Sequence, residues 1–568
     1  MNEYMIVNVG YEQLYGHVLP LEEAVARLKL YPLRLLLEIF SKADTILALT
    51  SSEDFADGHR MLSEQLLTPS LRHAVLKFYE SFQGREATKV PVILFHELQI
   101  LNALKLALLH CEEHVPTEPD DPGPLVEALL IINDHIDPPT FKPDVFDTLP
   151  DEQQRDALIR YVVPNMVFHR GTRLAHVIAR WNDLFYIDAP SLVGRPEYID
   201  LRSTLTQLLG LDSKLFYCFA NALIMHWLAI PRETIITGQI ALHLPTWLRD
   251  FSISTDEYEP TMQRLAGTPD LLKAQLGARK EWEPYYFLPI QTLPYLRYQD
   301  VVFCLSRRFA TEKISSGLYH TVLTHRDAKE RDKFLVFFGH VFESYIRRLF
   351  NRVFPAGPLA QRFFANPRDP ATGDELTDGI LDYGDALVLV ETKASLFSLP
   401  VLLRADPAVL DRQLQDIVFD AARQLTRAIV RIRAGALVDL GIFPERIKTY
   451  FPIVVSLQFI PVEHFLYRKF QQGILSKDLL QGRDIAPLQL LSVDDIEWVE
   501  SFLISGVCLA DLLRAKVSDS RLLEMSFGNF AVEHLGKEMR RPSPYLGSRW
   551  TEMGEEVLGF FRSRARNA

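Results

Sequence analysis

The stretch "TDGILDYGDALVLVETKAS", Thr377–Ser395, decides how this chain is read. An apolar run, Ala386–Val390, is flanked by carboxylates, and Lys393 stands two residues after the last of them. Such a run predicts a strand. Gly384-Asp385 suits a two-residue turn with glycine first, as type II′ requires, so the stretch reads as a hairpin. The turn sets the register: Tyr383 faces Ala386, Asp382 faces Leu387, and further out Asp378 falls opposite Glu391. Side chains alternate along a strand, so Asp378, Glu391 and Lys393 share one face.

Carboxylates opposed across a sheet repel. Buried beside a Val/Leu-rich strand, they must be neutralised or paired. A divalent cation answers both demands, and oxygen ligands shared with water and phosphate suit Mg2+, or Mn2+ in its place. Such an ion activates a water and offsets charge developing on a phosphate. Lys393 beside it would hold the attacking water or a phosphate oxygen. The group set suits phosphodiester hydrolysis. Asp382 and Asp385 flank the turn, where Asp is favoured for backbone reasons.

Outward from the hairpin the pattern is helix, two strands, long helix, strand, strand, helix, which predicts an α/β domain. "FLVFFGHVFESYIRRLF" (Phe334–Phe350) is a strongly apolar helix carrying Glu343, an acid that is costly there without a cation. "LDRQLQDIVFDAARQLTRAIVRI" (Leu410–Ile432) is a long amphipathic helix. Its Arg423, Arg427 and Arg431 recur at helical spacing, fit either to meet phosphates or to pair with Asp416 and Asp420. "YFPIVVSLQFIPV" (Tyr450–Val462) and "PLQLLS" read as strands, and Ser492 with Asp495 as a capping box.

These residues resemble the PD-(D/E)XK nuclease superfamily, whose restriction-endonuclease-like core is a helix with a Glu, a hairpin with Asp and then Glu-x-Lys, and a second helix. Glu343 matches the first-helix Glu, Asp378 the first-strand Asp, and Glu391-Thr392-Lys393 the E-x-K. Gln424 in "AARQL" stands where many members carry a Gln, and Thr377 stands where the motif's name has Pro. The resemblance covers roughly Asp332 to Leu513. It implies a mixed sheet flanked by helices and a DNA substrate. Glu343, Asp378 and Glu391 would be metal ligands, Lys393 would assist the water, and Gln424 would orient the lysine or the substrate.

Residues 1–300 carry 26 Lys+Arg against 40 Asp+Glu, and residues 301–568 carry 35 against 33. The acidic load therefore lies in the N-terminal part, and local basic patches beyond it remain able to hold phosphates. "LEEAVARLKLYPLRLLLEIF" (Leu21–Phe40) shows helical spacing, and the first 300 residues read as a mainly helical accessory region. Proline-rich breaks between 115 and 150 suggest two subdomains. A nuclease-like domain is expected over 301–530 and a basic segment over 531–568, with Tyr545 and Trp550 interleaved. The four cysteines are too scattered for a disulfide framework, and "MNEYMIVNVG" lacks a basic signal-peptide start. The longest apolar run, Leu215–Ile230, is too short for a membrane span. Together these predict a cytoplasmic protein.

The expected function is a metal-dependent nuclease, by analogy one of bacterial or antiviral defence, whose N-terminal region meets a protein partner or a nucleic-acid element. One alternative is a nuclease-like scaffold without catalysis. Another is a zinc hydrolase using "HCEEH", with His110, Glu113 and His114 in the inverted H-x-x-E-H pattern.

Overall fold

The apolar run Ala386–Val390 becomes the middle of a five-stranded mixed sheet. The structure is a computed structural model that describes residues 7–565 except 50–54, 84–91, 116–120, 137–147, 151–152, 155–156, 158–172, 232–233, 236–237, 251–252, 280, 355–361, 397–406, 459, 461–464 and 537–540. Much of the break expected between 115 and 150 lies outside the described residues.

The strands are β1 (Arg362–Ala365), β2 (Gly379–Asp382), β3 (Ala386–Lys393), β4 (Thr449–Ser456) and β5 (Gln489–Ser492), in the order β5-β4-β3-β2-β1. β2 and β3 pair antiparallel with Gly379 facing Val390 and Asp382 facing Leu387, the register set by the turn. The Tyr383 N–H donates to the Ala386 carbonyl at 3.0 Å. Gly384 takes φ +90°, a conformation that glycine reaches without cost. β3, β4 and β5 run parallel, and β1 is antiparallel to β2.

Parallel neighbours need a crossover, usually helical. Between β3 and β4 it comprises a helix Pro407–Leu414, a π-helical turn Gln415–Phe419 and a helix Asp420–Arg433, where the sequence suggested one unbroken helix. The helices used below are α1 (Leu174–Asp183), α2 (Ala328–Val353), α3 (Asp420–Arg433), α4 (Val493–Ile504) and α5 (Pro544–Ala565).

Alternation sorts the strands between two cores. Val388, Val390, Phe451, Ile453 and Val455 enter the core that contains α2 and α4. Leu387, Leu389, Tyr450 and Val454 enter the core that contains α3. α2 buries Phe334, Phe337, Phe338, Val341, Phe342, Tyr345, Ile346, Leu349 and Phe350, a helical stripe broken only by Glu343 and Ser344. Ser492 and Asp495 form the capping box of α4.

The N-terminal part is mainly helical with its own core from Val9 to Phe309. The helix expected over Leu21–Phe40 is two, Leu21–Leu28 and Leu33–Leu49, because Pro32 lacks the N–H that would continue the first. The expected boundary at residue 300 falls inside a hairpin, Tyr295–Tyr298 paired with Val301–Cys304, so that position is no linker. Helices of the N-terminal part also enter the core of α2: Ile178, Trp181, Phe216 and Trp227 pack there. The C-terminal stretch expected as a basic segment packs in part against the rest of the chain. α5 buries Leu546, Met553, Val557 and Phe561 in that core, and Tyr545 donates to Asp183 of α1. Among the described residues no single helix is long and apolar enough to cross a membrane.

The core of α2 is tied by a buried polar network. Arg180 of α1 pairs with Asp494 and, at 2.8 Å, with Glu497 of α4, while Tyr345 of α2 donates to Glu497 at 2.7 Å. Removing one partner of a buried pair strands the other, at a cost of several kcal/mol. Arg180→Ala is expected to lower stability by about 3 kcal/mol, read as a fall in the urea midpoint. A loss below about 0.5 kcal/mol, the size of an exposed pair, would mean that the network holds nothing together.

Candidate active site at the end of the hairpin

The carboxyl end of β3 carries Glu391 and Lys393, with Thr392 between them facing the other way. Glu391 and Lys393 follow Leu387 and Leu389 on the face covered by α3. Lys393 Nζ donates to Glu391 Oε1 at 3.0 Å and to Gln424 Oε1 of α3 at 2.9 Å. Glu391, Lys393 and Gln424 therefore meet, and the ammonium lies between two oxygens.

Asp378 lies one residue outside the β2 ladder, which stops at Gly379 paired with Val390. Its carboxylate accepts from the Thr392 backbone N–H at 2.6 Å and from the Thr392 hydroxyl at 2.7 Å. It thereby clamps the strand end beside Glu391. Glu343 arrives from α2, the helix under the other face of the sheet, and approaches only at the sheet's end. There its Oε1 accepts from Asn366 Nδ2, and His340 Nδ1 lies 3.2 Å from its Oε2.

Burial dominates the electrostatics. It raises the Asp378 carboxyl to about 6, against the lowering effect of the Thr392 hydrogen bonds, with the charge of Glu343 adding to the rise. It raises the Glu391 carboxyl to about 8, with Asp378 raising it further, Lys393 opposing and Glu375 contributing. One lysine faces several acids, so the charged state of the site is short of positive charge. The donor chemistry suits a hard divalent cation. The oxygens are not gathered for one, however: among the described residues no three His, Cys, Asp or Glu side chains are grouped to ligate an ion. Glu343, Asp378 and Glu391 each spend an oxygen on Asn366, Thr392 and Lys393 instead.

The arginines of α3 differ. Arg423 pairs with Asp420, and Arg431 pairs with Asp374 at 3.2 Å. Arg427 is exposed and makes no ion pair among the described residues. The turn carboxylates have structural partners: the Gly384 N–H donates to Asp382, which Arg446 also binds at 2.8 Å, and Asp385 lies 3.3 Å from Lys448. His110 is the last residue of its helix, Glu97–His110. Glu113 and His114 lie past its end, so the three do not share a helix face as a zinc pair at i and i+4 must.

Asn366, Thr392, His340 and Glu375 belong to the site and were not singled out by the sequence. Thr392 is the unconstrained position of E-x-K, and Asn366 and Glu375 lie on a loop whose path no periodicity encodes. The chain matches no family model and no curated protein.

A pH prediction follows from the raised Glu391 carboxyl. In the unfolded chain this group titrates near 4.5, in the folded protein near 8. Its contribution to stability is therefore complete below the lower value and is lost as pH climbs to the upper one. Asp378 acts likewise between 3.8 and about 6. In the presence of a chelator, Glu391→Gln is expected to exceed wild type in stability at pH 8.5 by roughly 1–3 kcal/mol, with the gap closing towards pH 5. Denaturant unfolding across that range reads it. A gap that is flat or widens towards low pH would show that burial does not hold the proton on Glu391.

Proposed function

We propose that this chain is a metal-dependent nuclease of the PD-(D/E)XK kind, with a restriction-endonuclease-like core between Asp332 and Leu513, that hydrolyses phosphodiester bonds of DNA. The observation that carries the reading is the Lys393 ammonium fixed between Glu391 and Gln424 at the end of a hairpin strand, with Asp378 on the next strand.

Glu343, Asp378 and Glu391 would hold Mg2+ or Mn2+, which when bound acidifies a water and withdraws charge from a phosphate oxygen. The rest is done by the chain's own groups. Lys393 has three N–H bonds, and two go to Glu391 and Gln424. The third remains to donate to the attacking water or to a non-bridging phosphate oxygen. Gln424 restrains a side chain that otherwise carries four free torsions, so the ammonium is in place before charge develops. Arg427 is on the same helix, three residues on from Gln424 and exposed, and would meet a backbone phosphate. Arg423 and Arg431 serve only by releasing Asp420 and Asp374. The N-terminal region would select the target or a protein partner, and its size beside one nuclease core gives the reading its analogy to defence proteins.

Purified protein is incubated with linear, circular and single-stranded DNA and with RNA, with and without Mg2+. Mg2+-dependent cleavage of DNA is expected. Binding without cleavage of any substrate would leave a nuclease-like scaffold.

Lys393→Met is expected to keep the fold and divalent-cation binding and to lose about 10²–10³-fold in single-turnover cleavage, the scale for one preorganised stabiliser. Asp378→Ala and Glu391→Ala are expected to abolish cleavage, and Asp385→Asn to leave it largely intact. Undiminished cleavage by Lys393→Met would make the lysine structural and remove the reading's most specific support.

A further inference from the structure

Gln424, Arg427 and Arg431 stand at i, i+3 and i+7 on α3 and so share one stripe of the helix. Two helical turns separate the first from the last, about 10.5 Å along the axis. Gln424 meets the Lys393 ammonium at one end of the stripe. Arg431, at the other end, meets the loop between β1 and β2. Its Nη1 and Nη2 both donate to Asp374 Oδ2 at 3.2 Å, and Nη1 also donates to Thr372 Oγ1 at 3.3 Å. Asp369 Oδ2 lies 3.7 Å from Nη1. Two carboxylates and a hydroxyl thus converge on one guanidinium, and such a cluster of oxygens is what a phosphate group also presents to an arginine.

The turn Asp369–Asp374 has its own internal bonds. The Asp369 N–H donates to the Asp374 carbonyl at 2.8 Å, and the Gly373 N–H donates to the Asp369 carbonyl at 2.7 Å. The Asp369 carboxylate accepts from the Ala371 N–H at 2.9 Å, and the Thr372 hydroxyl accepts from the Asp374 N–H at 3.2 Å. Gly373 supplies the one left-handed step, at φ +74°. The pair with Arg431 is added to a turn already tied together. It is also an exposed pair, with the Asp374 side chain 63% and the Arg431 side chain 36% accessible. Exposed pairs contribute about two- to fivefold to an equilibrium, so a competing anion breaks this one readily. The loop reaches the candidate site just beyond the turn: Glu375 accepts from Asn366 at 2.9 Å, and its charge adds to the rise of the Glu391 carboxyl.

We propose that the acidic turn Asp369–Asp374 is an autoinhibitory clasp: in the free protein it occupies the Arg431 guanidinium, and a nucleic-acid backbone engages the α3 stripe by displacing Asp374. The proposal rests on the nuclease reading and names a regulation of the same site. Arginine takes a phosphate through two parallel N–H bonds, which the present geometry spends on one oxygen of Asp374. Asp374, already largely exposed, is hydrated once released. Arg431 therefore breaks one ion pair as it makes another. Salt weakens both pairs, so the clasp blunts the salt dependence of binding.

The test measures binding of a fluorescein-labelled DNA duplex, and of its single strand, by anisotropy across a range of KCl concentrations. A chelator keeps cleavage off. The full-length proteins are wild type, Asp374→Asn, Arg431→Gln and the double variant, with denaturant unfolding to confirm the fold of each. Asp374→Asn is expected to bind about two- to fivefold more tightly than wild type, the size of the pair released. Its plot of log affinity against log salt should be steeper by up to about one, the contribution of one phosphate contact. In the Arg431→Gln background the same substitution should gain clearly less, because only the general loss of negative charge remains. An equal gain with and without Arg431 would make Asp374 merely a nearby negative charge and overturn the clasp. No gain in Asp374→Asn would make Arg431 an anchor of the turn and overturn it likewise. Either result leaves the nuclease reading standing, since DNA is still bound. Absence of binding by wild type and by every variant would overturn that reading and the clasp with it.

Discussion

Taking several carboxylates out of water around one ammonium is the constraint on which the end of the β3 strand is built. Each acid there is uncomfortable when charged, and each has acquired a donor suited to its position: Thr392 for Asp378, Asn366 for Glu343, Lys393 for Glu391. The donors come from β3 and from the loop after β1, and Gln424, which accepts from Lys393, comes from α3, so the fold must deliver them together. The hairpin turn fixes Thr392 against Asp378, the β3–β4 crossover brings Gln424 to Lys393, and the loop after β1 brings Asn366. None of these donors neutralises the site outright. That residual shortage of positive charge gives the arrangement its chemical character.

The parts legible in the sequence were those governed by short-range rules. Gly384-Asp385 dictated the register, and Ser492 with Asp495 dictated the start of α4. The apolar runs of β3 and β4 marked themselves as doubly covered strands by lacking a polar face. The parts that were missed depend on what lies opposite. Pro32 ends one helix where apolar spacing alone suggested continuity. Asp378, one residue beyond a ladder that keeps the register of the turn, accepts from the Thr392 amide, a contact that no alternation rule states. Glu343 sits where helical periodicity put it, but periodicity along one helix says nothing about which face of a distant sheet that helix covers. The boundary expected at residue 300 falls within a hairpin, because the pairing of Tyr295–Tyr298 with Val301–Cys304 is set by contacts that composition does not record.

The N-terminal region is not a separate bead on the chain. Its helices share a core with α2, so the helix that carries Glu343 is packed on one side by the sheet and on the other by Trp181, Phe185 and their neighbours. Trp181 stacks on Phe338 at 5.9 Å between ring centroids, and Arg348 of the same helix reaches Asp183 and Asp188. Any displacement of α1 therefore moves the surface on which α2 lies. The N-terminal part and the candidate site are therefore joined through one packed core.

Asp183 is fully buried, and its cations are Arg348 at 2.9 Å and Arg549 at 2.9 Å, the latter 366 residues further along the chain. On a ribosome adding 5–20 residues per second, about 20–70 s separate the two. Throughout that interval the α1 surface lacks α5, with its Leu546, Met553, Val557 and Phe561, and is an apolar, acid-bearing face open to chaperones or to premature association. The helix bearing Glu343 is thus among the last parts of the molecule to be fully enclosed. In a newly made chain the residues of the candidate site therefore exist before the core that holds the helix of Glu343 is complete.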